Sequence, residues 1–117
     1  MNTTKSGNVL IINIEGDLDH YTANTIRKKI DAELNKNPIN LLILDLSTLD
    51  FMDSSGIGLI LGRYKLINSL GGKLSIVKPN ENIYKIINMS GLHKILSIYN
   101  TVEEAMNERG LEIGEYN

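Results

Sequence analysis

The sequence predicts an α/β domain with helices packed on a mostly parallel sheet, and three observations carry that expectation. Short apolar runs rich in Leu and β-branched residues recur at 9–15, 41–46 and 74–77. Segments with apolar residues every three or four positions stand between them. Gly, Asn and Pro punctuate the joins. Strands alternating with helical patterns favour crossover units over a run of hairpins. The 117 residues show no repeat, linker or low-complexity tract, so one domain spanning 1–117 is expected.

Residues 9–15 (VLIINIE) read as a buried strand ending at Gly16, with Ser6-Gly7-Asn8 as the turn of a possible hairpin before it. Over 21–35, Ala23, Ile26, Ile30 and Leu34 form one stripe, and Arg27, Lys28, Lys29, Asp31 and Glu33 fill the other faces. That is an amphipathic helix lying on a sheet, ended by Asn37-Pro38. Residues 41–46 (LLILDL) suit a central strand covered on both faces. A loop then leads to a helix over 55–70, closed by Gly71-Gly72. Residues 74–77 form another strand, followed by the turn Lys78-Pro79-Asn80. Ile83, Ile86 and Ile87 mark a short helix ending at Gly91, with Leu92 placed for the apolar contact beyond a C-cap. A last strand spans 95–99, and Thr101-Val-Glu-Glu104 has the capping-box form that opens a terminal helix toward Arg109-Gly110.

Composition excludes several classes of function. There is no Cys, so disulfides and thiolate metal sites are ruled out, and His20 and His93 lack ligand-like spacing. No metal or other cofactor is expected. Twelve Lys and Arg against fourteen Asp and Glu leave a net charge of −2 and no basic face for nucleic acid. One Phe, no Trp and five scattered Tyr make a poor base-stacking platform. Residues 1–5 lack the apolar core of a signal peptide, and no apolar run approaches the ~18 residues of a membrane span. The expectation is a soluble, cytoplasmic protein with no direct membrane insertion.

The informative stretch is 49–64, LDFMDSSGIGLILGRY, which joins a strand end to a helix start, where ligands and partners commonly meet open α/β sheets. Ser54, just before an apolar helical run, would serve as an N-cap. Gly56, Gly58 and Gly62 fall inside the expected helix, where each costs roughly 1 kcal/mol relative to Ala. Either close packing on the sheet or a backbone laid bare for a partner would offset that. Ile57, Leu59, Ile60 and Leu61 exceed the stripe such a helix needs, which suggests deep burial or an exposed docking patch. Enzyme patterns fail on inspection. A dinucleotide fingerprint needs glycine where Leu61 stands, and no Gly-Lys-Ser/Thr follows for a phosphate loop. Asp17, Asp19, Asp45 and Lys78-Pro79 imitate a receiver's acidic pocket, but a receiver needs a further strand and helix between Asp45 and Lys78. Neither His has an identifiable catalytic partner, so no enzymatic activity is expected.

Gly16-Asp-Leu-Asp-His-Tyr-Thr22 and Phe51-Met-Asp-Ser-Ser-Gly-Ile-Gly-Leu-Ile-Leu-Gly-Arg-Tyr64 resemble two signature blocks of the anti-sigma factor antagonists of the STAS family. Gly71-Gly-Lys-Leu and Met89-Ser-Gly-Leu-His-Lys-Ile95 resemble two further blocks in the right order. The second block is most similar to that of the sporulation antagonists of sigma-F, with the stress-response antagonists as the nearer competitor. The resemblance implies a STAS fold, a small mixed and mostly parallel sheet of four to five strands with helices largely on one face. It implies partner switching in transcription regulation: the unphosphorylated form binds an anti-sigma factor with serine kinase activity and frees the sigma factor. Phosphorylation switches it off, and a PP2C-type serine phosphatase resets it. Ser54 matches the phosphorylated serine, Ser55 the second of the pair, Asp53 its acidic neighbour and Asp19 a partner-binding aspartate. The partner-binding set is therefore Asp19, His20, Asp53, Ser54, Ser55, Gly56, Ile57 and Gly58. The alternatives are an antagonist of another sigma factor, or a STAS subunit of a transporter or signalling complex. A helix N-terminus at Ser54 is expected to offer a phosphate free N–H groups and a favourable dipole end.

Overall fold

The computed structural model describes residues 1–108. Its main sheet has five strands in the order β1 (Asn2–Ser6), β2 (Val9–Asn13), β4 (Leu41–Asp45), β6 (Lys73–Val77) and β7 (Ser97–Tyr99). β1 and β2 form the hairpin about Gly7, and every other pairing is parallel. Parallel neighbours need crossovers. These are α1 (Ala23–Lys36), α2 (Ser54–Ser69) and α3 (Glu81–Ser90), with α4 (Val102–Glu108) following β7.

β4 shows why its apolar run is unbroken. Leu42 and Leu44 face the larger core, which they share with Ile30 of α1, Ile60 and Ile67 of α2, and Ile83 and Ile87 of α3. Leu41 and Ile43 face the other way, into a smaller core closed by Ala105 of α4. Three helices therefore cover one face of the sheet and one short helix the other. Gly91 ends α3 in the left-handed conformation at φ 85°, and Leu92 beyond it is buried, as the C-cap expectation requires. Thr101 Oγ1 accepts from the Glu104 N–H at 3.0 Å, while the Glu104 carboxylate turns back to the Asn100 N–H rather than to that of Thr101. Arg109 and Gly110, the expected end of this helix, lie outside the described residues.

Two strands were not expected. β3 (Gly16–Leu18) and β5 (Leu49–Met52) pair in parallel as a separate two-stranded sheet. The strand expected over 9–15 therefore stops at Asn13, and the segment read as a loop before α2 is partly strand. Neither strand alternates cleanly in burial, because only Leu18, Leu49 and Met52 turn inward. The strand expected over 95–99 is likewise shorter, since Leu92–Lys94 forms a 3-10 turn and pairing starts at Ser97.

Candidate functional site

The small sheet brings the two acidic blocks together. β3 and β5 end side by side, with Leu18 opposite Met52, and the Asp53 N–H donates to the Leu18 carbonyl at 3.2 Å. Asp19 and Asp53, 34 positions apart, thus leave neighbouring strand ends at the same edge of the fold. A third segment braces them: Asn80, ahead of α3, donates its side-chain amide to the Leu49 carbonyl at 3.2 Å.

Asp53, not Ser54, caps α2. Its Oδ1 accepts from the Ser55 N–H at 2.8 Å, and its carbonyl accepts from Gly56 and Ile57. Ser54 is the first residue of the helix and is exposed. The expectation that Ser54 is the cap is corrected here. A carboxylate on the preceding residue takes the capping position and leaves Ser54 exposed as the first residue of the helix. The expected supply of free N–H groups shrinks for the same reason, since those of Ser55, Gly56 and Ile57 are already engaged.

Asp19 ties down the turn ahead of α1 without capping the helix itself. Its Oδ1 accepts from the Tyr21 and Thr22 N–H groups at 2.9 and 3.0 Å, and the Asp19 N–H donates to Thr22 Oγ1. This carboxylate is thus held rigidly by the loop, with Oδ2 accepting no hydrogen bond among the described residues. His20 and Tyr21 project beyond it, both exposed, with their rings edge to face at 5.6 Å.

The three glycines divide. Gly56 is buried, and a Cβ there would overlap Met52 Cγ and stand 2.7 Å from Met52 Sδ and 3.0 Å from Leu18 Cγ. Close packing accounts for it: Gly56 seats the helix on the small sheet. Gly58 and Gly62 have nothing within 4 Å of a Cβ position. They lie on the other side of α2, with Ser55, facing an open groove against α1. Ile57 is half-buried and packs against the main core. The apolar excess of the first turn is therefore mostly burial, with Leu59 and Ile60 inside.

Sequence reasoning missed two features. Tyr21 is 88% exposed and Phe51, on β5, 50% exposed, so an apolar rim flanks the two aspartates. The position of Phe51 becomes readable only once β5 is known to be a strand with one face outward. Arg27 and Arg63 also meet across Asp31 between α1 and α2, at 3.6 and 3.1 Å. Among the described residues, no cluster of three or more His, Cys, Asp or Glu could hold a metal ion, and no helix is long and apolar enough to cross a membrane.

Comparisons with known proteins place the fold. A family model for the STAS domain matches residues 1–105. The anti-sigma F factor antagonist of Paenibacillus polymyxa is 42% identical over 100 residues, which is 86% of this chain and 86% of that one. The anti-sigma factor antagonist SpoIIAA in its unphosphorylated form superposes with a TM-score of 0.81 at 31% identity, covering 93% of this chain and 96% of that one. The Bacillus cell fate determinant SpoIIAA in its phosphorylated form gives 0.72 at 30% identity, covering 92% and 96%. With the match running from the first strand into the last helix, the chain belongs to the STAS domain family.

Proposed function

We propose that this chain is a single-domain, cytoplasmic anti-anti-sigma factor and acts by binding rather than catalysis. Its unphosphorylated form engages an anti-sigma factor with serine kinase activity and releases the sigma factor, sigma-F of sporulation being the first candidate. Phosphorylation of Ser54 by that kinase ends the interaction, and a PP2C-type serine phosphatase restores it. The observation that carries this reading is the placement of Ser54: exposed at the first position of α2, between the capping carboxylate of Asp53 and the partly buried Ser55. The names of the relatives support it, as does the existence of SpoIIAA structures in both phosphorylation states.

The geometry suits a switch driven by charge. A phosphate adds about −1.5 to −2 charge. Here it arrives beside Asp53, near Asp19, at a helix end whose first-turn N–H groups are largely taken. The free phosphoprotein keeps that charge in water and stays folded. A partner seated on Ser54 must instead bury it next to two carboxylates. Moving a dissociation constant from 1 μM to 1 mM takes about 4 kcal/mol, within the range of one buried unpaired charge. No large rearrangement is required.

Competition tests the reading. Added to a preformed complex of anti-sigma factor and sigma factor, the unphosphorylated chain should release sigma, and the phosphorylated chain should not. Equal release by both would reject Ser54 as the switch, and release by neither would reject the partner.

A further inference from the structure

An open groove of about 390 Å³ runs between α1 and α2, leading away from the Ser54 end. Gly58 and Gly62 line it from α2, and His20, Arg27 and Arg63 are among its other walls. Nothing among the described residues needs glycine at 58 or 62, since neither has a neighbour within 4 Å of a Cβ position, yet each weakens the helix. Arg63 supplies an independent observation. It is 9% exposed, and its Nε and Nη1 are sealed from water without a hydrogen bond among the described residues. Asp31 Oδ1 lies 3.1 Å from Nε but accepts no hydrogen bond, and Asp31 also serves Arg27. One carboxylate facing two guanidinium groups leaves a positive charge in excess and buried donors short of an acceptor.

We infer that this groove docks a helix of the kinase partner, which lays its backbone close to Gly58 and Gly62 and brings a carboxylate to the accessible Arg27, leaving Asp31 to the buried Arg63. The inference rests on the partner reading above and adds a second anchor to it. Glycines four apart clear one face of α2, and the distance between packed helices is set by the side chains at their contact. A carboxylate fits the forked donors of arginine. A second copy of this chain fits poorly, because a symmetric contact would set these arginines against one another. The partner must therefore present opposite charges to the two ends of its footprint: an anion in the groove, and cations toward Asp19 and Asp53.

The test is calorimetric titration of the cognate anti-sigma factor kinase into the unphosphorylated full chain and its Gly62→Leu and Arg27→Glu variants, with a thermal melt of each. Each variant should raise Kd at least tenfold, and Gly62→Leu should melt at or above the wild-type temperature. Wild-type affinity in both variants overturns the inference while leaving the partner reading intact. If Gly62→Leu melts early, the affinity of Arg27→Glu decides. A wild-type dimer that Gly62→Leu dissolves gives the groove to a second copy and overturns the inference. Absence of wild-type binding removes the partner reading and this inference with it.

Discussion

The two sheets of this molecule do different work. The five-stranded sheet is buried on both faces along β4, its inward residues packing on α1, α2 and α3 on one side and on α4 on the other. The two-stranded sheet has seven residues in strand, of which Asp17, Asp50 and Phe51 are exposed, and both of its strands lead directly into candidate site residues. The first holds the fold, and the second holds Asp19 against the start of α2. The candidate site thus rides on a small sheet whose inward residues, Leu18, Leu49 and Met52, join the main core while its outward ones face solvent.

Substitutions can break that division or sharpen it. The largest effect is expected from the phosphate itself. Phosphorylated Ser54 should weaken binding to the anti-sigma factor by about 4 kcal/mol, roughly a thousandfold in Kd, while leaving the urea midpoint almost unchanged. Leu44→Ala should do the reverse. It deletes a fully buried side chain of the main sheet and should lower unfolding stability by about 3 kcal/mol, while the folded fraction keeps its affinity. An affinity loss in folded Leu44→Ala would mean that the two sheets are not separable.

Smaller effects sort the glycines. Gly56→Ala gains helix propensity but drives a methyl into Met52 and Leu18, so a net loss of about 1 kcal/mol should appear in chemical denaturation. Gly58→Ala meets open space and should gain up to about 1 kcal/mol in the same assay. Opposite signs two residues apart on one helix would establish that one glycine serves packing and the other a surface. Equal signs would contradict it.

The same division governs how much was legible from residues alone. β2, β4 and β6 carry enough apolar, β-branched residues to announce themselves, and α1 shows its stripe through Ile26, Ile30 and Leu34. β3 and β5 carry no such signal. They are three and four residues long, and they become strands by pairing with each other across 30 intervening residues, from 19 to 48. The family blocks located Asp19, Asp53 and Ser54 as candidates, but not the division of labour among them. Ser and Asp both cap helices well, and only the backbone at Asp53, extended at φ −112°, decides which does so here. Burial of Gly56 and openness of Gly58 were unresolvable for a related reason. They depend on Met52 and Leu18 lying beneath one side of α2, which follows from the small sheet.

The central claim is that Ser54 is the phosphoacceptor, and peptide mapping tests it most directly. The chain is incubated with its anti-sigma kinase and Mg-ATP, weighed intact, and digested. A gain of one phosphate mapped to Ser54, and absent from Ser54→Ala, is the result this account predicts. A phosphate mapped to another residue, or an unmodified chain beside a kinase that is active on a second substrate, would contradict it.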